Sequence, residues 1–314
     1  MAELNRLGEW LPPVAATQSS ACLEGAQEFL LLRLPNANTR LTYTAACGAF
    51  VRWALGQSVT IEAVRPVHIA AYAHQLAQRL APMSVAVHLT AIRRMYGWLV
   101  ERQLLASNPA AATRSARRIV HSGSTPALTP AEVAQLFASF REDRPHDLRD
   151  RALISLMLYG FLRISAVLAL RREDVDLLAG PALVQVLEKG GMLRSIPLHA
   201  RAHADLVAYL AKVPRARGEL LFGPLSGKRS TAPGKPMRRE QVYAMIRRRL
   251  SKAGIDRVAG CHAFRTTGIT RFLAQGGRIE VAAHLAGHVS LRTTQLYDRR
   301  QRDAAAAELA LLSF

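Results

Sequence analysis

At 314 residues, half of them hydrophobic, the chain has enough apolar material for two packed domains, and this excludes a disordered chain. Its 42 basic residues against 23 acidic ones leave a net charge of +19, which argues for a polyanionic partner, nucleic acid first. Cys22, Cys47 and Cys261 have no paired short spacing, and no apolar run approaches the roughly 20 residues of a membrane span. A cytoplasmic protein without disulfides, zinc knuckle or membrane contact is therefore expected.

The basic excess is not local. Residues 1–128 carry 12 basic and 6 acidic side chains, and 129–314 carry 30 and 17. An arginine-rich solvated surface would read the same way, but two basic domains also suit a duplex held between them.

Residues 1–20, with Pro12, Pro13 and a Ser/Thr cluster, read as an irregular arm. From 21 to 110 the pattern is helical, and four helices are predicted near 21–33, 38–55, 60–80 and 84–104, the last with Ser84 as N-cap. Val85, Leu89, Ile92, Tyr96 and Leu99 make one apolar stripe along it. Arg93, Arg94 and Arg102 fall off that stripe, as solvated cations or as phosphate contacts. Residues 111–128, containing Arg114, Arg117, Arg118 and His121-Ser-Gly-Ser-Thr-Pro126, read as a basic linker in which Arg117 and Arg118 are candidate DNA contacts.

The second domain, 129–314, opens with an N-cap, an N1 proline and an N3 carboxylate in Thr129, Pro130 and Glu132, which predicts a helix near 130–141. The run Ala152–Gly160 is almost wholly apolar and must be buried; it delivers Arg163 at its end, where the core can hold a guanidinium facing a cleft. Two β-rich runs, 182–187 and 193–198, flank Glu188-Lys-Gly-Gly-Met192 and predict a hairpin. Lys189, one of only five lysines, sits at its tip; unlike arginine, a lysine can lose its proton. A helix near 200–212, an exposed loop over 214–235 and an amphipathic helix over 238–252 follow. The helix carries Arg247, Arg248 and Arg249, as phosphate contacts or a solvated face.

His262 and Arg265 stand three apart at the start of a further helix, so both project from one face near its N-terminus, a place for an anion. His288 precedes Tyr297 by nine residues across a turn and helix start. A free phenol has a pKa of roughly 10 and attacks only when a base takes its proton and cations hold the electrophile. The apolar stretch Ala304–Phe314 ends the chain.

His262-x-x-Arg265, then Gly287-His288, then Thr293-Thr-Gln-x-Tyr297, in this order and spacing, resembles the tyrosine recombinase/integrase family. The resemblance implies a mainly α fold with a small antiparallel β element: an N-terminal four-helix, SAM-like core-binding domain and a C-terminal catalytic domain. It makes Phe161-Leu-Arg-Ile-Ser-Ala166 the first motif, with Phe161 where the family usually has Gly and Ala166 where it usually has an acid. By resemblance Arg163 and Arg265 clamp the scissile phosphate, Lys189 is the general acid, His262 the base, His288 a phosphate donor and Tyr297 the nucleophile, without metal or nucleotide cofactor. The expected partners are double-stranded DNA and further copies of the chain, two on a site and four in synapsis, with the tail docked on a neighbour or on its own core. Within the family the motifs look most like recombinases of plasmids and other mobile elements.

Three functions stay open: a site-specific recombinase, a DNA-binding regulator without catalysis, and a type IB topoisomerase. The six-residue set argues against the second. A zinc site on His284 and His288 is disfavoured, because Leu285 stands at the zincin glutamate position and Gly287 interrupts the helix. Walker-type and Gly-x-Gly-x-x-Gly stretches are missing, so ATP chemistry is unsupported.

Overall fold

The computed structural model describes residues 21–113, 125–187, 193–225 and 236–300. The arm 1–20, Arg114, Arg117, Arg118, the hairpin tip with Lys189, part of the 214–235 loop and the terminal stretch Ala304–Phe314 lie outside the described residues. The chain divides into two compact units that part between residues 119 and 120.

In the first unit α1 (Ala21–Leu32), α2 (Ala37–Gly56), α3 (Pro66–Ala77) and α4 (Pro82–Glu101) pack around one core. The α4 stripe is buried at Leu89, Ile92, Tyr96 and Leu99, and the Tyr96 hydroxyl donates to the Ile61 carbonyl at 3.1 Å. Two expected starts move. The third helix begins at Pro66, not near residue 60, and the fourth is capped by Ala81 with Pro82 at its first turn, so Ser84 is not its N-cap. Both prolines start helices because their fixed φ suits the first turn and their missing N–H would have had no partner there. Arg93 is half-buried and donates to the Ala110 and Thr113 carbonyls, so it fastens the segment after α4. Arg94 remains exposed, over the Tyr43 ring at 5.6 Å.

The second unit holds α5 (Pro130–Ala138), α6 (Pro145–Tyr159), α7 (Ile164–Ala169), a three-stranded antiparallel sheet, and then α8 (Ala200–Lys212), α9 (Arg239–Lys252), α10 (Cys261–Ala274), α11 (Ile279–Ala286) and α12 (Leu291–Gln295). The α5 N-terminus is a capping box: Thr129 Oγ1 accepts from Glu132 N and Glu132 Oε2 accepts from Thr129 N. Leu128, at the end of the stretch read as a linker, is buried in this unit's core, and its N–H donates to Thr267 Oγ1 at 2.8 Å. The sheet pairs β1 (Val175–Asp176), β2 (Leu183–Leu187) and β3 (Leu193–Pro197) in that order, with Val184 opposite Ile196 and Val186 opposite Arg194. Alternation buries Val184, Val186 and Ile196.

The apolar run before Arg163 is the C-terminal half of α6, and its N-terminal half carries a buried ionic cluster. Asp150 accepts from Arg149 and from Arg249, and Asp147 accepts from Arg249 at 2.7 Å. Arg249 therefore faces inward, where its charge offsets those of two buried carboxylates. Of the arginine triplet on α9, Arg247 and Arg248 are exposed, and the expectation of a phosphate contact at Arg249 is overturned.

Candidate active site

Gly160 caps the C-terminus of α6, and the next residue, Phe161, takes a left-handed backbone with φ of 53°. That conformation disfavours a side chain with a Cβ, which accounts for glycine being usual in the motif. Here the Phe161 ring compensates by packing: it is buried and meets Phe272 edge-on, with centroids 5.8 Å apart. The same turn aims the Phe161 carbonyl at Arg265 Nη1, which donates to it. Two residues later Arg163 emerges exposed at the start of α7.

The α10 helix presents His262 in its first turn and Arg265 one turn further, buried to 2 % exposure. One helix thus sets an imidazole at the rim and a guanidinium in the wall. Gly287 closes α11 in the left-handed conformation with φ of 61°, its N–H donating to His284 and the N–H of His288 to Ala283, the Schellman pattern. This turn breaks the helix between His284 and His288, so the two do not share one helical face.

The last carbonyls of α11 gather three arginines. Arg194 of β3 donates to His284 and Leu285, Arg265 to Ala286 at 2.7 Å, and Arg163 to Ala286 and Gly287 at 3.4 to 3.5 Å. Cations at a helix C-terminus are favoured by its dipole, so α11 acts as a fixed anchor that sets guanidinium groups side by side against their mutual repulsion.

The phenol of Tyr297 closes the site. Tyr297 is 8 % exposed and packs with Phe161, Ile269, Leu273, Ala282 and Ala286, while its hydroxyl lies 3.1 Å from His262 Nε2. The His288 ring stacks on it at 5.8 Å with 15° between planes. His288 in turn sits between Arg265 Nη2, 2.6 Å from its Nε2, and Thr294 Oγ1, 2.8 Å from its Nδ1. Desolvation, then the charges of Arg265 and Arg163, holds His288 down at about 4 and pulls His262 below its ordinary value, although His262 is open to solvent on one side. Both rings are therefore neutral near pH 7. Burial, then the charge of Arg163, lowers Arg265 to about 10, against a smaller opposing effect of Tyr297, and it keeps its charge. Its Nε is buried, with no hydrogen-bond partner among the described residues.

Five of the six residues singled out from the sequence thus meet around one cleft: Arg163, His262, Arg265, His288 and Tyr297. Lys189 lies outside the described residues. Sequence analysis assigns no role to Arg194 or to Thr294, although Thr294 lies within the Thr293-Thr-Gln-x-Tyr297 motif. No group of three or more metal-ligating side chains exists among the described residues, and no described helix is long and apolar enough to cross a membrane.

Comparison with known proteins places this arrangement. A profile of the phage integrase family matches residues 126–303, more than half of the chain, and one of the phage integrase N-terminal SAM-like domain matches 30–103. The chain belongs to the phage integrase family. Among its relatives, tyrosine recombinase XerD of Shewanella oneidensis is 30 % identical over 266 residues, covering 83 % of this chain and 85 % of that protein. Tyrosine recombinase XerC of Xylella fastidiosa is 29 % identical over 269 residues, covering 83 % and 86 %. The integrase fold extends to solved structures. The XerH site-specific recombinase bound to difH superposes with a TM-score of 0.68 at 17 % identity over 93 % of this chain and 86 % of that one. The Tn1549 transposon integrase, in complex with a circular-intermediate DNA, does so at 0.65 and 18 % over 93 % and 99 %. The mainly helical integrase architecture with a SAM-like first domain and a small antiparallel sheet in the second is the fold of this chain.

Proposed function

We propose that this integrase-family chain is a site-specific DNA recombinase that cuts and rejoins double-stranded DNA through a 3′-phosphotyrosyl intermediate, acting in the cytoplasm as a homo-oligomer. The observation that carries the reading is the Tyr297 hydroxyl 3.1 Å from a neutral His262 Nε2, beside the buried guanidinium of Arg265. In this mechanism the Tyr297 oxygen attacks phosphorus, its proton passes to His262, and the bond to the 5′ oxygen breaks. Proton transfer from a reference phenol to a reference imidazole is uphill by about 5 kcal/mol. The transfer must therefore accompany formation of the P–O bond, with Arg163 and Arg265 stabilising charge on the non-bridging oxygens.

Lys189 is assigned to protonate the departing 5′ oxygen, and attack by a second strand's 5′ hydroxyl reverses the sequence and rejoins the DNA. The family resemblance implies a hydrogen bond from His288 to the phosphate, but its Nε2 already accepts from Arg265, so it is assigned here to holding that guanidinium. Arg94, Arg247 and Arg248 are offered to flanking phosphates, together with Arg117 and Arg118 of the linker. A plasmid or other mobile element is the proposed setting.

The test is incubation with DNA of the source genome, recovery and sequencing of covalent adducts, and rebuilding of the site as a nicked suicide duplex. Wild type should trap on that duplex and Tyr297→Phe should bind without trapping; an adduct surviving Tyr297→Phe refutes the assignment. Recombination only when two sites are present separates a recombinase from a type IB topoisomerase, and absence of any adduct would leave a DNA-binding regulator.

A further inference from the structure

We infer that Thr294 is a positioning residue of this site: by accepting the Nδ1 proton of His288 it fixes the imidazole tautomer whose Nε2 lone pair holds Arg265. The inference rests on the recombinase reading for its catalytic consequence, but its structural core does not. A guanidinium can only donate, so the 2.6 Å contact between Arg265 Nη2 and His288 Nε2 requires a lone pair on Nε2. The proton of the neutral ring is then on Nδ1, and the atom facing it at 2.8 Å is Thr294 Oγ1. Thr294 is completely buried in α12, three residues before Tyr297, so no water competes for that proton.

The chain of contacts runs from Thr294 through His288 to Arg265. Its end is decisive, because Nη2 is committed to Ala286 and His288 while Nη1 donates to Phe161. With three of its five N–H groups held in this way, the guanidinium keeps one orientation in the site. If the ring took the other tautomer, Nε2–H and Nη2–H would confront each other at 2.6 Å and the guanidinium would have to turn. Because α12 also leads directly into Tyr297, one hydroxyl registers the nucleophile's helix against the arginine that receives the phosphate.

The experiment uses the full chain as wild type, Thr294→Val and Thr294→Ser. Nitrogen NMR of histidine-labelled protein at neutral pH should show wild-type His288 with Nδ1 protonated and Nε2 bare. Thr294→Val, equal in size but unable to accept, should lose that signature, and Thr294→Ser should keep it. On the nicked suicide duplex Thr294→Val should form the Tyr297 adduct about tenfold more slowly, the scale of one lost hydrogen bond. DNA affinity should stay unchanged, and Thr294→Ser should restore the rate.

A wild-type His288 carrying its proton on Nε2, or carrying both protons, overturns the inference whatever the variants do. So does a Thr294→Val protein that keeps the tautomer and the rate, or a Thr294→Ser protein that is as slow as Thr294→Val. If Thr294→Val does not fold, the wild-type tautomer and the serine variant still decide. If wild type makes no adduct with any DNA, the recombinase reading fails while the tautomer measurement stands by itself.

Discussion

Gly268 is where the backbone of α10 meets the end of α6, and a single methyl group there should disturb both fold and chemistry. A Cβ at this position would stand 1.9 Å from the Leu158 carbonyl oxygen and 2.9 Å from two atoms of the Phe161 ring. The nearest obstacle is main chain, so rotating a side chain gives no relief and the helices must part. Overpacking of this kind costs about 1–3 kcal/mol, and a backbone clash belongs at the upper end. Replacing Gly by Ala within a helix returns up to about 1 kcal/mol. The net is a loss of about 2 kcal/mol, which for a unit of this size lowers the melting temperature by roughly 4–8 °C. Phe161 also supplies the carbonyl that receives Arg265 Nη1, so its displacement should slow DNA cleavage as well. Thermal unfolding of Gly268→Ala followed by circular dichroism, with cleavage of the suicide duplex measured well below the transition, tests both effects. A variant as stable and as fast as wild type would refute the close approach and the coupling drawn from it.

The α9 arginines should separate by role. Arg249→Ala strands the buried Asp147 and Asp150 and should cost about 3 kcal/mol in denaturant unfolding. Arg247→Ala or Arg248→Ala should leave stability within about 0.5 kcal/mol but reduce the slope of log affinity against log salt by about 1 each. The pH dependence follows from His288, which is held at about 4 when folded against about 6.5 when unfolded. The unfolded chain binds the extra proton between those values, so this group removes stability as pH falls from about 6.5 to about 4 and adds no further change below. His262, lowered too, acts in the same sense just below its ordinary value. Unfolding free energies of wild type minus His288→Asn should fall across that window; a flat difference would contradict the buried neutral ring.

The five residues that meet, Arg163, His262, Arg265, His288 and Tyr297, could be read from the sequence because they sit in short patterns whose spacing survives folding. The hairpin was equally legible, since alternation over 183–187 and 193–197 is a local signal. The two-residue β1 was not, being too short to alternate. Pro66 and Pro82 misled in a specific way: a proline ends one helix and begins another by the same fixed φ, and position alone does not say which. The Arg249 cluster depends on pairing between residues about a hundred positions apart, for which a triplet of arginines gives no sign. Arg194 escaped for the same reason, its partners being main-chain carbonyls on α11.

The most direct measurement is the identity of the residue bonded to DNA. Adduct trapped on the suicide duplex, digested with trypsin and sequenced by mass spectrometry, should carry the nucleotide on the peptide Thr293–Arg299, whose only hydroxyaryl side chain is Tyr297. A nucleotide carried by any other peptide, or a linkage to the 5′ rather than the 3′ phosphate end, would contradict the account.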